Sequence, residues 1–164
     1  MNEFTGGVLL AQLRKLDTII GDVRRNARRV YGGLRDLPGA KMRHLPDPQG
    51  ELGTGIFLGF RTKEDRQRYA DAMKAEGVPV SSPAGSVILP IVPEIEQKVT
   101  VTPRWPSFSS DRGKSIRYGR ECCPRTIDIL SRFAGVMMNP KYTERDADDA
   151  IAAVRKVHPA IVQA

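Results

Sequence analysis

The chain has 164 residues, a net charge of +7, 40% apolar and 27% charged residues, which is enough apolar material for one core and far from the bias of a disordered segment. There is no run of about 18 apolar residues and no basic head before an apolar stretch, so the expectation is of no membrane span, no secretory leader and a cytoplasmic location. Cys122 and Cys123 are neighbours and His44 and His158 stand far apart, which argues against a disulfide framework and a zinc set and leaves packing residues or inert thiols, with a vicinal redox switch as the alternative.

The first predicted element is a long helix. Leu9, Leu13, Leu16, Ile20, Val23, Ala27, Val30 and Leu34 follow one another at steps of four and three, which makes one apolar stripe. Asn2 or Thr5 is placed to cap its start, and Leu37, Pro38 and Gly39 stop it. About 30 residues at 1.5 Å per residue span about 45 Å, more than a domain of this size can cover. Part of the helix is therefore expected to lie against another copy or another domain, with Leu9, Leu13, Leu16 and Ile20 as the candidate interface residues. Its arginines, Arg14, Arg24, Arg25, Arg28, Arg29 and Arg35, read as a solvated face or a surface bared by a missing partner. Nucleic acid is the poorer explanation of the charge, because the aromatics needed to stack bases are few and scattered.

Residues 41–45 and 54–60 read as two strands joined by a turn-rich link from Pro46 to Gly50. Thr62 with Asp65 is a capping-box-like start for a helix whose apolar face is Tyr69, Ala72 and Met73 and which Gly77 ends; 78–80 then reads as a strand. Residues 81–110 are irregular, broken by Pro83, Pro90, Pro93, Pro103 and Pro106, a length that suggests function. Ser110 and Asp111 open a short helix expected to reach about Arg120, and Pro124 takes the first turn of another running through Leu130. A strand at 136–138 precedes a last helix opened by Thr143 and Asp146, with Ala147, Ile151, Val154 and Val157 inward and His158 just past its end. The carboxylates Glu144, Asp146, Asp148 and Asp149 then sit where they complement the helix dipole. This order predicts an α+β fold, a small sheet covered by helices, with 1–37 as a long helix of interdomain type and 38–164 as a small domain, one structural unit in all.

Chemistry is sparse. No Gly-rich phosphate loop and no Gly-x-Ser-x-Gly elbow occurs, and neither histidine has an orienting partner in sequence. No catalytic, cofactor or metal residue is expected in this chain.

Three stretches carry a resemblance. The opening Met1-Asn2-Glu3-Phe4-Thr5-Gly6-Gly7-Val8-Leu9-Leu10-Ala11-Gln12-Leu13, with Arg25-Asn26-Ala27 and Tyr31 further on, resembles the segment that follows the cofactor lysine in DegT/DnrJ/StrS sugar aminotransferases. Cys123-Pro124-Arg125-Thr126-Ile127-Asp128 is similar to a Cys-Pro that leads into a helix in that family. Tyr142-Thr143-Glu144-Arg145-Asp146 resembles the start of its final helix. The likeness covers nearly the whole chain and is poorest over residues 81–112.

The resemblance implies the small C-terminal domain of a type I, pyridoxal-phosphate-dependent aminotransferase acting on keto sugars or keto-cyclitols. The cofactor lysine, the carboxylate beside the pyridine nitrogen and the phosphate-reaching asparagine of the family are expected to lie outside this chain. None of its own lysines, Lys15 to Lys156, stands in the family's lysine context. The chain is thus expected to bind no pyridoxal phosphate and to be inactive alone, its partners being a separately encoded large domain or a second copy joined through the first helix. The alternative is a free-standing, non-catalytic binding module derived from the fold. Family members often place a His or Tyr in the loop after the strand at 78–80; here it reads Ser81-Ser82-Pro83-Ala84-Gly85-Ser86, which leaves Ser82 and Ser86 as the substrate-side candidates.

Overall fold

Asn2 opens the first helix, its Oδ1 accepting the Thr5 N–H at 2.8 Å. The computed structural model describes residues 2–83, 88–101 and 108–162. The single long helix expected from the stripe is two: α1, Glu3–Leu13, and α2, Leu16–Gly33. At the break the Lys15 N–H bonds the Gln12 carbonyl at 3.0 Å, a tightened i→i−3 turn. No side chain of α1 is buried on the way into this turn. Downstream the stripe behaves as predicted: Val23, Ala27 and Val30 of α2 and Leu34 and Leu37 beyond it are buried.

A turn through Gly39, at φ +71, leads to β1, Lys41–Met42, which pairs antiparallel with β2, Gly55–Gly59, in the register Lys41↔Gly59 and Met42↔Leu58. Then α3, Lys63–Ala75, starts as expected, with the Thr62 Oγ1 accepting the Asp65 N–H at 3.0 Å. It closes at Gly77, at φ +80, where the Gly77 and Val78 amides return to the Lys74 and Met73 carbonyls.

The chain divides into two compact units, Met1–Ser81 with Ala134–Ala164, and Ser82–Phe133. The second unit holds a 3-10 turn at Leu89–Ile91, α4 at Pro93–Glu96, α5 at Asp111–Ser115, a 3-10 turn at Arg120–Cys122 and α6 at Pro124–Ser131. The Ser110 Oγ caps α5 by accepting the Gly113 N–H at 3.1 Å. This helix stops short of the expected Arg120, because Ile116 is extended and Gly119 sits at φ +142. Pro124 occupies the first turn of α6, as predicted. Cys122 is exposed and Cys123 half-buried, both free thiols.

The first unit resumes with β3, Phe133–Met137, which completes the sheet order β1-β2-β3, and α7, Glu144–Val162. The expected strand at 78–80 is absent. Pro79 has no N–H for a ladder, and pairing is confined to one bridge in which Ser81 and Gly135 exchange N–H···O bonds of 2.8 and 2.9 Å. α7 opens on the predicted box: the Thr143 N–H and hydroxyl reach the Asp146 carboxylate at 2.7 Å, and the Asp146 N–H returns to the Thr143 Oγ1 at 3.3 Å. His158, expected beyond this helix, lies within it and is fully buried; the helix runs on through Pro159, and Ile161 still packs on the core. That core joins the α2 stripe to Ile56 and Leu58, Tyr69 and Met73, Ala134 and Val136, and Ala147, Val154 and Val157, with α2 and α3 both packed on α7. The observed class is the α+β one predicted.

Candidate interface helix and substrate-side loop

Between Glu3 and Arg14 the sequence of α1 carries no charge. Its apolar side chains face solvent in every direction: Phe4 is 81% exposed, Leu9 53% and Leu13 62%, and Val8 and Leu10 on other faces are open too. Of the four predicted interface residues, Leu9, Leu13 and Leu16 are exposed, while Ile20 is half-buried where the core begins to cover the stripe. The stripe therefore understates the surface. A helix that is apolar all round is one that belongs inside something, and the uncharged run from Phe4 to Leu13 was the available sign of it. Ideal side chains built on Gly6 and Gly7 would meet nothing.

The arginine face is less uniform than a solvated surface. Arg29 grips Asp148 in a two-pronged pair at 2.7 and 2.8 Å and reaches Glu144 at 3.2 Å, so these carboxylates of α7 serve α2 as well as their own helix dipole. The Arg29 hydrogen bond holds the Asp148 carboxyl below its usual range. Arg155 donates to the Gly33 carbonyl at 2.7 Å and to Asp36. Asn26, 1% exposed, donates from Nδ2 to the carbonyls of Tyr142 and Asn139.

Of the substrate-side candidates, Ser82 is exposed and follows directly on the bridged Ser81; Ser86 lies outside the described residues. Among the described residues no cluster of three or more His, Cys, Asp or Glu could hold a metal, and no helix is long and apolar enough to cross a membrane. His158 is enclosed by Phe60 and Tyr69, with ring centroids 5.8 and 6.4 Å away; neither ring nitrogen has a hydrogen-bond partner, and burial pushes the imidazole below its ordinary pKa.

Two of the described lysines, Lys98 and Lys156, are engaged by other groups. Lys98 is spent on the Gly113 and Lys114 carbonyls, each at 3.0 Å. Lys156 opens on a cleft of about 490 Å³, but its ammonium is bound to Glu76 at 2.8 Å, and Asp146 and Asp149 in the same wall would repel a phosphate.

No family model matches the sequence. The structure is similar to those of the sugar aminotransferase CalS13 from Micromonospora echinospora (TM-score 0.64, 17% identity, 95% of this chain and 35% of that one). It is similar also to a DegT DnrJ EryC1 StrS aminotransferase from Brucella abortus (TM-score 0.56, 22% identity, 92% of this chain and 34% of that one). A third similar structure is PseC from Helicobacter pylori, an aminotransferase involved in the biosynthesis of pseudoaminic acid (TM-score 0.61, 11% identity, 92% of this chain and 36% of that one). The chain therefore has the fold of part of a DegT/DnrJ/EryC1/StrS sugar aminotransferase, spanning about a third of the length of those it matches.

Proposed function

We propose that the chain is the C-terminal small domain of a pyridoxal-phosphate-dependent aminotransferase that acts on keto sugars or keto-cyclitols in the cytoplasm, and that it has no catalytic activity alone. The observation that carries this reading is α1, a largely apolar helix none of whose side chains is buried, on a fold that matches about a third of the length of sugar aminotransferases. The rest of such an enzyme is the natural cover. The large, lysine-bearing domain would hold the cofactor, whose ring would supply the electron sink for amino-group transfer. This chain would contribute its packed unit as a wall, α1 as the seam, and the loop around Ser82 and Ser86 on the substrate side.

The test is reconstitution. The chain is co-expressed with a lysine-bearing large domain from the same genome, and keto-sugar-dependent conversion of glutamate to 2-oxoglutarate is followed for the pair and for each half. Turnover by the pair alone supports the proposal. Turnover by this chain alone, or two halves that neither associate nor react, overturns it. The second reading, a free-standing binding module that kept the fold, is favoured by the cleft on α2 described next.

A further inference from the structure

One residue along from the buried stripe of α2 runs another, Arg24, Arg28, Tyr31 and Arg35, at steps of four, three and four. It forms one wall of a cleft of about 440 Å³ whose opposite wall is Met42 of β1 and the loop carrying Leu45 and Pro48. Gly53 sets its depth. At φ +79, with an added Cβ only 2.5 Å from that of Ala27, it lets the loop lie closer to α2 than any side chain would allow.

The charges of this cleft are uncompensated. Elsewhere on α2, Arg25 is paired with Asp22 and Arg29 with Asp148. The guanidiniums of Arg28 and Arg35 have no hydrogen bond or ion pair among the described residues, and Arg24 donates only to the Gly50 and Glu51 carbonyls, at 3.0 and 3.1 Å. The one carboxylate in the lining, Glu51, is taken by Arg43 at 2.9 Å and by the Gly53 N–H at 3.2 Å. Two arginines four apart on a helix repel each other, and a third stands at the same edge. The Tyr31 hydroxyl is buried in this wall beside the Arg43 guanidinium. A cleft of this size, lined by apolar residues and a few cations, has the form of a small-molecule site.

We propose that the cleft between α2 and the 45–53 loop binds a small organic anion, its phosphate or carboxylate held by Arg28 and Arg35 and its apolar body laid on Met42, Leu45 and Pro48. Guanidinium forks match both heads, and the apolar wall demands a body that inorganic phosphate lacks. The inference does not depend on the aminotransferase reading, since it uses neither the leucines of α1 nor the loop around Ser82 and Ser86.

The experiment is a ¹H–¹⁵N NMR titration of the intact chain, at physiological salt, with 1-naphthyl phosphate, 1-naphthoate, inorganic phosphate and 1-naphthol. The expected result is saturable shifts confined to the amides of residues 24–35 and 42–53 for at least one naphthyl anion, with affinity at least about tenfold above both inorganic phosphate and the neutral naphthol. The better of the two anions identifies the head group. Arg28→Gln with Arg35→Gln should weaken binding by at least about tenfold, whereas Arg25→Gln on the same helix leaves it unchanged. Shifts that never saturate or that spread over other basic surfaces, naphthol binding as tightly as the anions, or equal weakening by Arg25→Gln would each overturn the proposal.

Discussion

Asn26, in the middle of α2, donates its side-chain N–H to the backbone carbonyl of Tyr142 at 2.9 Å. The same amide reaches the Asn139 carbonyl at 3.2 Å, so one side chain fixes the turn that feeds α7 against a helix more than a hundred residues earlier. Removing it strands a buried site. Asn26→Ala is expected to cost about 1–3 kcal/mol. Asn26→Asp should cost more, because a carboxylate, which only accepts hydrogen bonds, would face two carbonyl oxygens. Urea unfolding of both variants checks this; Asp tolerated as well as Ala would mean the two donors are not what holds the turn.

His158 makes stability depend on pH in a definite direction. Burial alone lowers its pKa in the folded state, so the unfolded chain binds the proton more readily. The contribution is whole above the unfolded value of about 6.5 and is lost as pH falls through it toward the lower folded value. Stability is therefore expected to decline as pH falls below about 6.5, before most carboxylates titrate. His158→Phe, which keeps the ring contact with Phe60 and Tyr69 but does not titrate, should flatten that part of the profile. Chemical denaturation across this range is the measurement, and an equal slope in the variant would assign the dependence elsewhere.

Two glycines should respond to the same substitution with opposite signs. Gly53→Ala forces a side chain into positive φ and into Ala27, and is expected to destabilise by about 1–3 kcal/mol. Gly21→Ala, in mid-α2 with open space around it, should stabilise by about 0.5–1 kcal/mol. Thermal unfolding of the pair is the measurement, and a Gly53→Ala variant as stable as the parent would overturn this account of the loop's approach to α2.

What could be read from the sequence was what local chemistry decides. The caps at Asn2, Thr62, Ser110 and Thr143 are where their side chains predicted, and the buried half of the stripe begins at Val23. What could not be read depends on distant partners. The break at Arg14 and Lys15 follows a helix that buries no side chain, and periodicity does not register burial. His158 sits inside α7 because the core continues past Pro159, and a proline by itself argues the other way. The cleft needed Gly53 to meet Ala27 across the fold, and nothing in the spacing of Arg24, Arg28 and Arg35 distinguishes unpaired cations from the paired Arg25 and Arg29.

The exposed leucines of α1 are expected to matter to association and not to folding. Because α1 buries nothing, Leu9→Asp or Leu13→Asp should change the stability of the first unit by no more than about 0.5 kcal/mol. If α1 is the seam with a second copy, each leucine buried there contributes about 1.5–3 kcal/mol, and the same variants should weaken the dimer about tenfold or more. Sedimentation with hydrogen exchange on α1 decides. A monomeric wild type whose α1 amides are nonetheless strongly protected would show that the helix is covered without a second copy.

The bridge between Ser81 and Gly135 places the points where the chain leaves and rejoins the first unit side by side. Residues 82–133 thus leave and return to the first unit at one bridged point. A change of length within this stretch is therefore expected to cost the first unit little in chain closure, since closing a loop twice as long adds only about 0.6 kcal/mol.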